Sequence, residues 1–161
     1  MTPPAAYGLA AAVFALDRLT KWLIETRVSV LDAIPVIPGF FDIVHARNRG
    51  AAFSLLAESD SPWRPFLLIG VSLAALALVG GMLRKAQGLE RNTALGLSLI
   101  LGGAFGNVFD RIVTGAVTDF LDFYIGALHW PSFNVADSAI VVGSGFLLLD
   151  LLRPKRQAAR T

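Results

Sequence analysis

Apolar residues along this chain gather into four long runs, at about residues 5–24, 65–83, 93–113 and 135–152. A helix needs about 20 mostly apolar residues to cross a bilayer, so the pattern predicts an all-α integral membrane protein with four transmembrane helices. The second run has no ionisable residue between Arg64 and Arg84 and reads as a plain scaffold helix. The other three carry polar groups toward one end. The first run is read as a span rather than a cleaved leader. No Lys or Arg precedes its apolar core, and Asp17, Arg18 and Lys21 stand where a small-residue cleavage site belongs.

Two of the connections are not ordinary loops. Residues 27–64 form a segment far longer than a simple turn, and loops of that length usually carry function. Within it, Val28–Leu31 and Phe40–Val44 read as strands divided by Pro35, Pro38 and Gly39. They predict a small extracytoplasmic sheet at the membrane surface, followed by a short helix near Ala51 to Ala57. No internal repeat or low-complexity segment interrupts the chain, so residues 1–161 read as a single membrane domain.

Basic residues orient the spans. Arg84, Lys85 and Arg91 lie between the second and third runs, and Arg153, Lys155, Arg156 and Arg160 follow the fourth. Both groups are expected in the cytoplasm, which makes the chain multi-pass with N-in and C-in ends. The two remaining connections then face outward.

Composition supports a lipid-solvated chain and removes several chemistries. Charged residues make up 16% and hydrophobic residues 55%, with a mean hydropathy of +0.62. Soluble domains carry roughly 25% charged residues. Cysteine is absent, which removes disulfides, thiolate metal sites and a cysteine nucleophile. His45 and His129 stand alone, far from the spacing of a zinc site. No metal or cofactor is expected. The net charge of +2 reflects a basic tail and gives no reason to expect nucleic acid.

Ionisable residues inside a span are costly, at roughly 2.5–3.5 kcal/mol each near a helix centre. Asp17 and Lys21 are four apart on one helical face. They form either a local ion pair at the outer interface, with Arg18 and Lys21 reaching the headgroups, or part of a functional site. Asn107, Asp110 and Arg111 share another face, after Gly102, Gly103 and Gly106, which permit close helix packing. Asp110 is read as a structural counter-charge. Arg111 suits carbonyl or phosphate oxygens near the membrane surface.

Asp119 ends the third run and Asp137 starts the fourth, so the topology places both at one membrane depth. Two carboxylates hydrolyse a peptide without metal or covalent nucleophile: one activates water and the other protonates the carbonyl oxygen. At close range they share one proton. Asp137 has a second reading, as the acid that completes a capping box with Asn134. Spacing does not separate Asp119 from Asp122. Ser144 lies in mid-span with no base in view. A transporter or proton relay would also use membrane acids. These acids cluster at one surface instead, and no repeat supports alternating access. A membrane assembly scaffold would leave the clustered polar residues unexplained.

Five blocks of this sequence, in order, resemble the lipoprotein signal peptidases, or signal peptidase II. They are Asp17-Arg18-Leu19-Thr20-Lys21; Asn48-Arg49-Gly50-Ala51-Ala52-Phe53-Ser54; Gly103 through Arg111; Val117-Thr118-Asp119-Phe120; and Trp130 through Ser138. The resemblance implies an aspartyl endopeptidase of the bacterial cytoplasmic (inner) membrane, working near its outer surface. Its partners would be membrane lipids and prolipoproteins carrying a diacylglyceryl group on cysteine. It would cut on the N-terminal side of that cysteine. The resemblance selects Asp119 over Asp122 and pairs it with Asp137 as the catalytic dyad. Asn48, Gly50, Asn107, Arg111 and Asn134 would bind substrate or a cyclic peptide inhibitor of the globomycin type. Asp17, Lys21 and Asp110 would be structural. The outward sheet would be a β-cradle, the short helix a flap, and the enzyme a monomer.

Overall fold

The computed structural model describes residues 1–50 and 63–152. The helix expected near Ala51 to Ala57 and the basic tail from Arg153 lie outside these residues. Among these residues four α-helices are present: α1 (Pro3–Arg27), α2 (Arg64–Leu83), α3 (Arg91–Val113) and α4 (Val135–Leu152). Among the described residues, three helical windows are long and apolar enough to cross a membrane: Phe66–Leu83, Arg91–Val113 and Val135–Leu152, with mean hydropathy 2.4, 1.3 and 1.8. The α1 helix has the length but also carries Asp17, Arg18, Lys21, Glu25 and Arg27.

The central helix is α3, which packs against α1, α2 and α4. Glycines set its close approaches. A Cβ on Gly102 would run into the Ala10 carbonyl of α1, and a Cβ on Gly103 into the Ala136 carbonyl of α4. Nearer the start of α3, Gly96 faces Gly143, where an added Cβ would stand 2.6 Å from the opposite carbonyl. Small residues thus let the backbones meet, as they do between helices in lipid. The lipid side is apolar instead: Phe66, Leu78, Val141 and Leu151 are all exposed. Patches of this extent have no place on a water-solvated monomer.

The α1–α2 and α3–α4 connections both contribute to one antiparallel sheet of order β1-β2-β3-β4. The strands are β1 (Ala33–Ile37), β2 (Phe41–Asn48), β3 (Val117–Ile125) and β4 (Leu128–His129). Two expectations need correction. Val28–Leu31 is not a strand: Val28 caps α1 by donating to the Ile24 carbonyl at 2.9 Å, and residues 29–32 form a turn. The first strand comes later and contains Pro35, which an edge strand accepts because its outward side needs no N–H. Asp119 also does not end the third helix. The chain turns at Gly115, with φ +73°, and Asp119 lies within β3. Both faces of β3 are largely buried, so the period-two alternation that marks a half-exposed strand is blurred in its sequence.

The register of β2 on β3 aims the polar residues. Ile43 pairs Leu121 and Ala46 pairs Asp119, so three steps on β2 oppose two on β3. This bulge shifts side-chain parity along β2. Beyond it Asn48 pairs Val117, two residues from Asp119 on the same face of β3.

Candidate active site

Three elements converge at the C-terminal end of α3 and the N-terminal end of α4. The segment before α4 is pinned to the sheet at Leu121: the Phe133 N–H donates to the Leu121 carbonyl at 3.1 Å, and the Leu121 N–H returns to the Phe133 carbonyl at 2.9 Å. This brings Asn134 beneath Asp119. Asn134 Nδ2 donates to Asp119 Oδ1 at 2.7 Å, and Asn48 Nδ2 donates to Asp119 Oδ2 at 3.0 Å. Both oxygens of Asp119 therefore accept from an amide. Asn48 is oriented in turn by the Gly50 N–H, which donates to its Oδ1 at 2.8 Å. Gly50 has φ +110°, a conformation glycine adopts without strain.

Asp137 sits in the first turn of α4. Its N–H donates to Asn134 Oδ1 at 2.9 Å, and its Oδ2 accepts from the Asn134 N–H at 3.2 Å. This is the reciprocal capping box the spacing suggested. Its other oxygen, Oδ1, accepts from Asn107 Nδ2 at 2.7 Å. Capping leaves the carboxylate open to a cavity of about 500 Å³. That cavity is lined by Asn48, Asn107, Arg111, Asp119 and Asp137, with Arg47 and Phe133 at its walls.

Burial dominates the electrostatics of Asp119. It pushes the carboxyl up from its ordinary 3.8 to about 6, opposed first by the Asn48 hydrogen bond. The negative charge of Asp137 raises it further, while Asn134 and Lys21 pull it down. Burial of this kind holds a proton on one acid of a pair near neutrality.

Asp122 points elsewhere. Three residues from Asp119, it lies on the opposite face of β3 and meets His129 Nδ1 at 2.9 Å. Lys21 is also not at the headgroups. It is fully buried, 2.8 Å from Asp17 Oδ2 and 2.7 Å from Asp110 Oδ2. Arg18 takes the other oxygen of Asp110 and stacks over the Phe109 ring. Asp17 Oδ1 accepts from the Ala136 N–H at 3.0 Å, beside Asp137. Sequence reasoning missed the cavity walls Arg47, Val117 and Phe133. Their signal was nearness in the chain to Asn48, Asp119 and Asn134, with Val117 and Phe133 also inside two of the five blocks.

The family model described as signal peptidase (SPase) II matches residues 9–153. A lipoprotein signal peptidase of Solibacter usitatus (strain Ellin6076) is 64% identical over 154 residues, covering 96% of this chain and 94% of the relative. One from Geobacter metallireducens (strain ATCC 53774 / DSM 7210 / GS-15) is 45% identical, covering 93% of this chain and 91% of the relative. A solved structure described as a bacterial membrane enzyme superposes with a TM-score of 0.84 at 28% identity, covering 98% of this chain and 94% of that one.

Proposed function

Because the chain belongs to the signal peptidase II family, we propose that Asp119 and Asp137 are the catalytic pair with which it removes signal peptides from prolipoproteins. The protein is a peptide hydrolase of the membrane. The observation that carries the assignment of the pair is the opening of both carboxylates onto one cavity, each held by donors that leave it free to face a substrate.

The division of labour follows from the burial of Asp119 and the place of Asp137 in the first turn of α4. Asp119, raised to about 6, keeps the shared proton and protonates the scissile carbonyl oxygen. Asp137 accepts from Asn107 and from the Asn134 N–H, an arrangement suited to an ionised carboxylate near a helix N-terminus, and takes a proton from the attacking water. When the tetrahedral intermediate collapses, the C–N bond breaks, the proton acquired by Asp137 passes to the leaving amine, and a hydroxyl proton of the intermediate returns to Asp119. Arg111, Asn48 and Asn107 line the cavity and satisfy backbone groups of substrate or of a cyclic peptide inhibitor, groups that lipid leaves unpaired, while Gly50 and Asn134 serve binding indirectly by orienting Asn48 and Asp119. Asp17, Lys21 and Asp110 hold the helices behind the pair.

In this reading all four helices cross the membrane and residues 1–161 act as one domain. The α1 helix is about 37 Å long, enough for a hydrocarbon core of about 30 Å. Its Asp17 and Lys21 face α3 and α4 instead of lipid, which removes the main objection to a charged span. The ends are cytoplasmic, the sheet extracytoplasmic, and the membrane is the cytoplasmic (inner) one. A monomer supplies the whole site. The signal-peptide helix enters from the lipid, its diacylglyceryl group stays in the bilayer, and the cut falls on the N-terminal side of the modified cysteine.

The test is to offer the detergent-purified chain a prolipoprotein peptide with and without diacylglyceryl and read the products by mass spectrometry. Cleavage of the lipidated peptide alone, before cysteine, is expected. Equal cleavage of both, or a cut elsewhere, overturns the substrate assignment.

A further inference from the structure

We propose that Lys21 is a positioning residue for the reaction: its buried ammonium dictates which way the Asn107 amide faces and thereby guarantees Asp137 a hydrogen-bond donor. The inference rests on the dyad reading and goes beyond it, because Lys21 does not line the cavity.

The argument starts from what an ammonium can do. It has three protons and no acceptor. Lys21 donates to Asp17 Oδ2 at 2.8 Å and to Asn107 Oδ1 at 3.0 Å, and it forms an ion pair with Asp110 Oδ2 at 2.7 Å. The Asn107 atom beside Lys21 must therefore be the carbonyl oxygen. The choice between oxygen and nitrogen in an amide is decided by such partners. Asn134 Nδ2 supports the same choice more weakly, donating to that oxygen at 3.3 Å. The Asn107 NH₂ is left to face Asp137 Oδ1 at 2.7 Å. Turning the amide over would set NH₂ against ammonium and carbonyl against carboxylate, two buried repulsions at once.

Charge is balanced around this lock. At its centre Lys21 and Arg18 face Asp17 and Asp110, two cations against two anions, with the half-exposed Glu25 reaching Arg18 at 3.9 Å. The ammonium is thus held by two carboxylates and the Asn107 oxygen, away from the cavity lining. Asp17 extends the lock to α4 through the Ala136 N–H. Gly106 makes room for it, since a Cβ there would run into Asp17 Oδ2. The groups that face Asp137 are Asp119 from β3, Arg111 and Asn107 from α3 and Asn134 at the start of α4. Behind them stand Asp17 and Lys21 on α1 and Asp110 on α3.

The test replaces the charge without changing the balance. In the double variant Lys21→Met with Asp17→Asn, the ammonium is gone and the net charge is unchanged. The amide introduced at position 17 keeps a carbonyl oxygen to accept from the Ala136 N–H. The fold should persist. The expected result is a fall in kcat of about 10- to 100-fold, below the ~10²–10⁴ of losing a general acid or base outright, with KM nearly constant and a displaced pH profile of kcat. A purely structural role would instead lower thermal stability without moving that profile. Wild-type kcat and profile, or a change in KM alone, overturns the proposal.

Asn107→Asp tests the same lock independently should the double variant fail to fold. With one oxygen held by Lys21, the other can donate to Asp137 only when protonated. Activity should therefore move to lower pH, and an unmoved profile overturns the proposal. Asp119→Asn and Asp137→Asn separate the two levels. If those variants are inactive and the Lys21 double variant cleaves normally, only the role of Lys21 fails. If they remain active, the dyad itself fails.

Discussion

Asn134 and Asp137 cap each other: the Asp137 N–H donates to Asn134 Oδ1 at 2.9 Å, and the Asn134 N–H donates to Asp137 Oδ2 at 3.2 Å. The same Asn134 side chain donates to Asp119 at 2.7 Å. One residue thus starts α4, orients one acid and holds the other.

These duties separate by substitution. Aspartate caps a helix as well as asparagine does, but when ionised it has no donor for Asp119. Asn134→Asp keeps the cap but sets a buried carboxylate oxygen against Asp119 Oδ1, so kcat should fall by about 10²-fold or more at neutral pH, and the stability lost there should return as pH falls and the new acid takes up a proton. Asn134→Ala should lose both cap and donor, with about 1 kcal/mol of stability gone with the cap. Thermal unfolding in detergent, run beside kinetics, distinguishes the two.

The pH behaviour of Asp119 has a definite sign. Its folded pKa, about 6, lies above the ordinary 3.8. The folded chain therefore holds this proton more tightly than the unfolded chain. The stability from Asp119 is fully present below 3.8 and is lost as pH rises through about 6. The dyad titrates as a coupled pair, and its protonated form is the active one. For the free enzyme, kcat/KM should fall with rising pH along a limb near 6. A flat profile between pH 5 and 7 contradicts the assignment.

Close helix packing should be more fragile near the site than away from it. Gly103→Ala forces a Cβ into the Ala136 carbonyl, next to Asp137, whereas Gly145→Ala meets nothing within 4 Å. The first should cost about 1–3 kcal/mol and depress kcat, and the second should change neither. Paired melting curves and rates check this.

At the opposite end of the bundle, Asp150 Oδ2 accepts from the N–H and hydroxyl of Thr93, at 2.8 and 2.6 Å, and so holds the first turn of α3 to α4. Asp150→Ala should lower stability by about 0.5–2 kcal/mol, as loss of a cap does. Its kcat should be that of the parent at temperatures where both are folded.

What the sequence made legible follows from physics that is local. Run length marked the helices, and the three-residue spacing of Asn134 and Asp137 marked the capping box. The sheet was harder. Pro35 suggested a break where an edge strand tolerates it, and β3 is buried on both faces, so alternation was hidden. That strand also explains why spacing left Asp119 and Asp122 unresolved. Two residues three apart on a strand face opposite ways, but only the tertiary fold says which way holds the cavity. The inward turn of Lys21 depends on Asp110 and Asn107, 89 and 86 positions away along the chain, so it was invisible to any local pattern.

The central claim is that Asp119 and Asp137 together perform the hydrolysis. The most direct measurement is the single-turnover cleavage of a diacylated prolipoprotein peptide by purified Asp119→Asn and Asp137→Asn, each shown to melt cooperatively, beside wild type and Asp122→Asn. The account predicts that both dyad variants lose cleavage by about 10³-fold or more while Asp122→Asn cuts at close to the wild-type rate. Dyad variants that are folded and still cut at the wild-type rate would contradict it.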